Sequence, residues 1–227
     1  MSIKDKYIVQ SIKTSETREW LLYKHYLKRI PPVSYSFGLY NNNNLVGVCT
    51  FGVPASASLC MGVCGEQYKN IVFELNRLCT EEDIDKNSLS YFVSNCLKMI
   101  KKPSIIVSYA DTSVGHHGYI YQATNWLYTG LSAKRTDAKI IGEEDNNKHS
   151  RHLFDKYGTI NQIKEHHPDK IIWIDRPQKH RYIYFIGSKK EKKVLKKALN
   201  YKIQPYPKGD NKRYDASYKP STQLTIF

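Results

Sequence analysis

The sequence predicts a mixed α/β fold, with one central sheet, helices on both of its faces and a basic elaboration toward the C-terminal side. Three observations carry that prediction. Two β-rich runs, 36–40 and 45–51, flank the asparagines Asn41–Asn44, which tolerate left-handed backbone, and so read as an antiparallel hairpin. From 71 to 127 the patterning alternates strand, helix, strand, helix, which places parallel strands beside the hairpin. A short helix over 189–200 is loaded with lysine around an apolar seam of Val194, Leu195, Ala198 and Leu199.

Taken in order, Thr14 or Ser15 can cap a helix that runs to about Ile30, with Trp20, Tyr23 and Leu27 on one face and Pro31-Pro32 ending it. The hairpin follows, and then a small-residue loop over 52–70. Residues 71–79 (IVFELNRLC) read as a strand. Asn87 or Ser88 caps the next helix, whose stripe is Leu89, Phe92, Val93, Cys96, Leu97 and Ile100. A strand over 104–110 opens into the helix-like segment that carries Tyr119, Tyr121, Gln122 and Asn125. Residues 132–180 are polar and histidine-rich, 181–186 (RYIYFI) form a late strand, and 205–227 read as an extended tail behind a domain spanning 1–204.

At 227 residues the chain can bury a substantial core. Its net charge of +14 favours polyanionic partners, nucleic acid above all, although a ribosomal or membrane-surface protein could carry the same excess. Five cysteines, an odd number set mostly in apolar segments, suit a reducing compartment rather than a disulfide framework. Cys60 and Cys64 form a C-x3-C with no second pair at zinc-site spacing, so no metal site is assigned there, and the histidines, numerous but without a spacing that demands a metal, leave the need for one open. The N-terminus lacks a signal-peptide apolar region and no run approaches membrane-spanning length, so a soluble, cytoplasmic protein is expected.

The stretch 104–130 carries most of the chemistry. An acid, Asp111, stands where an apolar strand ends, followed by His116-His117 between Gly115 and Gly118. Polar groups gathered where a strand opens into a helix are what a reaction centre in an α/β layer needs, although Asp111 could equally cap the next segment.

The motifs LYKHYLKRIPP (22–32), GVCTFG (47–52), FELNRL (73–78), SYADTSVGHHGYIYQATNW (108–126) and RYIYFIG (181–187), in this order, make the chain resemble the Mom family of phage DNA-modification proteins. That resemblance implies a GNAT-like acyltransferase fold. It also implies transfer of a carbamoylmethyl (acetamido-type) group to adenine N6 in double-stranded DNA, shielding the DNA from restriction in the host cytoplasm. The family positions held to be essential fall on His25, Tyr26, Arg77, Asp111 and Tyr121. Their expected roles are proton exchange by His25, stacking or hydrogen bonding by Tyr26, and anion anchoring by Arg77. Asp111 is expected to act as general base or amine-orienting group, and Tyr121 as general acid or pocket wall.

Candidate donor contacts are Asn76 and Leu78 beside Arg77, and Asn87 and Ser88 at the next helix start. The intervening stretch 80–88 departs from the acyltransferase pattern. It has no glycine, and carries Glu81, Glu82, Asp83 and Asp85, which compete with a diphosphate for the helix N-terminus. An acyl-CoA is therefore disfavoured, and another small-molecule donor or an aminoacyl carrier is expected. Candidate DNA contacts are Arg135, His149 and Arg151 within 132–180, and Lys189, Lys190, Lys192, Lys193, Lys196 and Lys197 on the basic helix. The rival readings are a non-catalytic basic DNA-binding protein on an acyltransferase scaffold, and an N-acyltransferase for another amine.

Overall fold

The computed structural model describes residues 2–143 and 151–209. A short helix, α1 (Ile3–Lys6), leads into β1 (Tyr7–Ser11), a strand with no sequence signal strong enough to predict it. It pairs antiparallel with β2 (Tyr35–Asn41), the first arm of the expected hairpin. Asn42 and Asn43, both at positive φ, make the two-residue turn into β3 (Asn44–Gly52). The segment expected to be a loop instead holds α2 (Ala57–Cys64) and a 3-10 stretch (Glu66–Ile71). Ser56 caps α2, and Cys60, Val63 and Cys64 bury against the sheet, so packing rather than propensity makes this helix.

Next come β4 (Val72–Thr80), α3 (Ser88–Met99), β5 (Ser104–Asp111) and α4 (Tyr119–Ala123), the expected alternation. Of the expected stripe, Phe92, Val93, Cys96, Leu97 and Ile100 are buried and Leu89 is half-buried. Then follow β6 (Leu127–Leu131), β7 (Arg135–Ile140), α5 (Arg151–Tyr157), α6 (Ile160–His166), β8 (Ile171–Arg176), β9 (Lys179–Ile186) and α7 (Lys189–Lys197). The main sheet has the order β1-β2-β3-β4-β5-β9-β6. Within it β4 and β5 are parallel and the other neighbours antiparallel. One face packs Phe92, Trp126 and Tyr182, and the other packs Val63, Ile105 and Leu195. Among the described residues no helix is long and apolar enough to cross a membrane.

The stretch 132–180 is built on a second, two-stranded sheet of β7 and β8, with its own core of Ile140, Leu153 and Ile163. It leaves and rejoins the main sheet at one point, where Ser132 N–H donates to the Lys179 carbonyl at 2.8 Å. Lys179 pairs with Asp111 in the β9–β5 register, so the insertion springs from the same end of the sheet as Asp111. The helix α7 grows from the opposite end, past Ile186, which pairs with Ser104. Seven residues of strand separate the two ends, about 23 Å. On α7 Leu195 is buried but Val194 is half exposed, which narrows the apolar seam expected there.

The first helix departs most from expectation. Its helical stretch begins at Thr14 and closes with a π turn over Trp20–Lys24, and His25 is already extended, well short of Ile30. The buried side chains are Thr17, Trp20, Leu21 and His25, whereas Tyr23 and Leu27 are exposed. The wide turn, closed by His25 N–H to the Trp20 carbonyl at 2.9 Å, rotates His25 inward toward β4.

Candidate active site

Parallel pairing between β4 and β5 covers three positions, Val72–Glu74 against Ile105–Val107. Beyond them the two strands part, and a cleft of about 350 Å³ opens between their carboxyl ends, where ligands of α/β sheets characteristically bind. A bulge in β4 shapes one wall: Thr50 pairs with Arg77 and Phe51 with Leu75, which leaves Asn76 as the extra residue. The Asn76 amide accepts from Thr50 Oγ1 at 2.6 Å and donates to the Pro32 carbonyl at 2.8 Å, pinning the segment after His25 against the sheet. Gly52 lets that segment approach, since a Cβ there would stand 1.9 Å from the Pro32 oxygen.

The cleft brings together His25, Tyr26, Asn76, Arg77, Leu78, Asp111 and Tyr121. Ser88 and Asn87 lie outside it. The Ser88 hydroxyl is buried and donates to the Asp85 carbonyl at 2.8 Å. Asn87 borders a separate open groove along α3 with Ser90, Tyr91 and Ser94. Of the acids preceding α3, Glu81 pairs with Lys24 and Asp85 with Lys6, each at 2.5 Å.

The His25 ring is buried and stacks on Tyr26 with centroids 4.6 Å apart. Its Nδ1 accepts from Leu27 N–H at 3.1 Å, which puts the ring proton on Nε2. Burial, with the nearby Arg77 charge, pushes its pKa down to about 3. His25 is thus a neutral imidazole at any physiological pH, and the proton exchange expected of it does not fit this site. Arg77 donates from Nη1 to the Asn76 carbonyl at 2.6 Å and from Nε to the Arg29 carbonyl at 3.4 Å.

Asp111 does two structural jobs. Its Oδ1 accepts from the Ser113 amide (3.0 Å) and hydroxyl (2.6 Å), capping the 3-10 turn Thr112–Val114, and its Oδ2 meets Lys179 Nζ at 2.7 Å. Burial alone would raise its pKa, but Lys179 and the Ser113 hydrogen bonds outweigh it and hold the carboxyl below its usual value. A carboxylate so stabilised is a poor proton acceptor, so the geometry favours a positioning role over that of general base.

Ser108 Oγ lies 2.9 Å from the Leu75 carbonyl and 2.7 Å from the Tyr121 hydroxyl. A carbonyl only accepts, so the serine proton goes to Leu75 and the phenol proton of Tyr121 to Ser108. Tyr121 is buried and its pKa is pushed far above the ordinary phenol value, chiefly by that burial. It forms a wall, and a general-acid role is disfavoured.

Five cleft residues were not assigned as site residues by sequence reasoning: Glu74, Tyr109, Lys179, His116 and His117. The histidine pair had a signal in its flanking glycines, whereas Glu74 and Lys179 face the cleft only because β4 and β5 splay. Behind α4, residues 204–209 form a strap. Gln204 N–H bonds the Tyr128 carbonyl (2.9 Å), Tyr206 the Trp126 carbonyl (2.6 Å), Gln122 the Pro207 carbonyl (3.2 Å), and Tyr119 the Gly209 carbonyl.

Of the candidate DNA contacts, Arg135 opens β7 near the cleft and lies close enough to Tyr109 to affect its charge. Arg151 opens α5, with its side chain outside the description, and His149 lies outside the described residues. Lys189, Lys190, Lys192, Lys193, Lys196 and Lys197 all sit on α7, at the far end of β9. Lys192 Nζ stands 5.5 Å from the Tyr184 ring centroid.

A seven-stranded mixed sheet with a polar cleft where the parallel strands β4 and β5 splay defines an α/β domain with a ligand-sized site at the strand ends. Among solved structures the chain has a distant likeness to a probable acetyltransferase from Staphylococcus epidermidis (TM-score 0.43, 10% identity, 79% of this chain and 98% of that one). Another is a Bacillus subtilis acetyltransferase in complex with CoA (TM-score 0.40, 13% identity, 80% and 98%). Residues 6–208 match the model of the Mom protein family, and the chain belongs to that family. It is 28% identical over 205 residues to the methylcarbamoylase mom of Escherichia phage Mu, covering 88% of this chain and 83% of the relative.

Proposed function

We propose that this protein is a DNA-modifying transferase that places a carbamoylmethyl-type group on adenine N6 in duplex DNA and so protects phage DNA from restriction. The observation that carries the reading is the convergence of His25, Tyr26, Arg77, Asp111 and Tyr121 on one cleft, from four separate parts of the chain. Membership of the Mom family and the likeness to a methylcarbamoylase support it.

The adenine amine is a weak nucleophile, because its lone pair is delocalised into the ring. Its attack needs charge stabilisation and removal of a proton. A cleft of about 350 Å³ suits one extruded base and a small transferred group, not a duplex. Stacked Tyr26 and His25 offer a face for the purine, and the neutral His25 Nε2–H is a donor that survives across physiological pH. Arg77 is placed to hold negative charge developing on the donor. Asp111 fixes Lys179 and the turn that carries His116 and His117 at the mouth. The acids between β4 and α3, two of them paired with lysines, favour a donor other than acyl-CoA, either a small molecule or an aminoacyl carrier. The insertion at the mouth, with Arg135, contributes the nearest phosphate contacts, and α7 a more distant set.

Mass spectrometry of nucleosides from plasmid DNA of cells expressing the chain tests the reading. A new modified adenosine is expected, and it should vanish with Arg77→Ala and fall strongly with Asp111→Ala. Unmodified DNA that the purified protein still binds would leave only a DNA-coating role.

A further inference from the structure

We propose that Glu74, not Asp111, accepts the proton released when the amine attacks; this rests on the transferase reading above. The cleft divides into two clusters. The outer one is Asp111 with Lys179, Ser113 and the histidine pair, and its carboxylate is committed to three bonds from two residues. The inner part is lined by Glu74 together with Tyr26, Arg77 and Tyr121, three of the five family positions.

Glu74 is the last β4 residue in register with β5, opposite Val107, so it stands at the apex of the splay. Asp111 lies four residues further along β5, about 13 Å of strand away. The two acids therefore serve different ends of the cleft. Among the described residues Glu74 has no hydrogen-bond or ion-pair partner, although it is partly buried and lines the cavity. The charged and titratable groups near enough to act on it are Arg77 on its own strand and Lys179 on β9, with Tyr109 on β5, Cys60 on α2 and Tyr121 on α4 each feeling its charge in turn. Burial raises its pKa, with Arg77 and Lys179 pulling the other way. The carboxylate is therefore more basic than an exposed one and can still ionise, the combination that general base catalysis near neutral pH requires.

The step balances as follows. The N6 electron pair bonds to the electrophilic carbon of a small donor while the bond from that carbon to its leaving group breaks. That second pair departs with the leaving group. The N–H bonding pair stays on nitrogen, and the proton passes to a Glu74 oxygen. Arg77, on the same wall, faces the charge that builds on the donor.

The test uses the full chain in cells, with modified adenosine in plasmid DNA read by mass spectrometry and thermal melting of each purified variant. Glu74→Gln keeps the shape and removes the proton acceptor; product should fall by about 100-fold or more. Glu74→Asp restores a carboxylate and should recover product well above the Gln variant. Wild type forming product while Glu74→Gln stays within about threefold of it overturns the inference. So does an Asp variant no better than Gln when both melt like wild type. If Glu74→Gln melts early, the Asp variant decides alone: product within about tenfold of wild type supports the role, and its loss in a normally melting protein overturns it. Absence of product from wild type would instead overturn the transferase reading itself.

Discussion

Replacing His25 with Asn should remove a defined part of the protein's sensitivity to acid. The unfolded chain binds a proton at His25 near the ordinary pKa of 6.5, and the folded chain only near 3. Between those values the unfolded state holds more protons, so stability rises with pH and falls on acidification. From pH 7.5 to pH 5 this one ring should cost about 2 kcal/mol, from 1.36 kcal/mol per unit over the interval below 6.5. The ring is 5% exposed, so solvent screening removes little of that. Asn places a non-titrating oxygen where Nδ1 accepts from Leu27 N–H, which keeps that hydrogen bond. Urea unfolding of both proteins at the two pH values gives the answer. His116 and His180, whose pKa values burial also lowers, contribute to both proteins and cancel in the comparison. A wild-type penalty that exceeds the variant's by about 2 kcal/mol is expected, or about 4–8 °C in melting temperature for a chain of this size. A difference below about 0.5 kcal/mol would mean that the ring protonates in the folded state, and the neutral-donor role would fall with it.

Three further outcomes follow from the geometry. Ser108→Ala should destabilise more than Tyr121→Phe, about 1–3 against about 1 kcal/mol, because the first orphans a buried phenol proton and the second leaves the serine bonded to Leu75; calorimetry giving the reverse order would reverse the hydrogen-bond direction. Gly52→Ala should lower stability by about 1–3 kcal/mol, since its Cβ meets the Pro32 carbonyl, and should loosen the segment carrying His25 and Tyr26; an unchanged melting temperature would contradict that packing. Lys189, Lys190 and Lys193 changed together to Ala should weaken binding to a duplex of about 24 bp and flatten its salt dependence, yet leave an approximately 10-bp duplex centred on the adenine unaffected, because α7 grows from the sheet end about 23 Å, some seven base-pair steps, from Asp111 at the mouth of the cleft. Equal losses on both duplexes in fluorescence anisotropy would place the helix at the cleft instead.

Most of the sheet was legible because its signals are local. Four asparagines announced a hairpin, and the Phe92–Ile100 stripe announced a helix. The helix over 57–64 was hidden by small residues that bury well but carry no strong pattern, and β1 by its single inward-facing aromatic, Tyr7. The end of the first helix was misread because the π turn at Trp20–Lys24 buries His25 in a cleft it shares with Arg77 of β4, more than fifty positions away in sequence. The five family positions do meet in one cleft, yet their chemistry was not legible. Whether Asp111 is basic is decided by Lys179, which arrives from the far side of the insertion, and whether Tyr121 can give up its proton is decided chiefly by its burial in the folded core.

The strap over α4 has a bearing on how the enzyme is made. Residues 204–209 hold the backbone on which Tyr121 rides, and that backbone is translated some eighty codons earlier. A nascent chain that has emerged only as far as β6 lacks both β9, with its lysine, and this clasp, so its reactive pocket stays unassembled until synthesis is far advanced. A bulky fusion placed directly after position 203 would keep every residue of the reaction centre and still leave it unlatched.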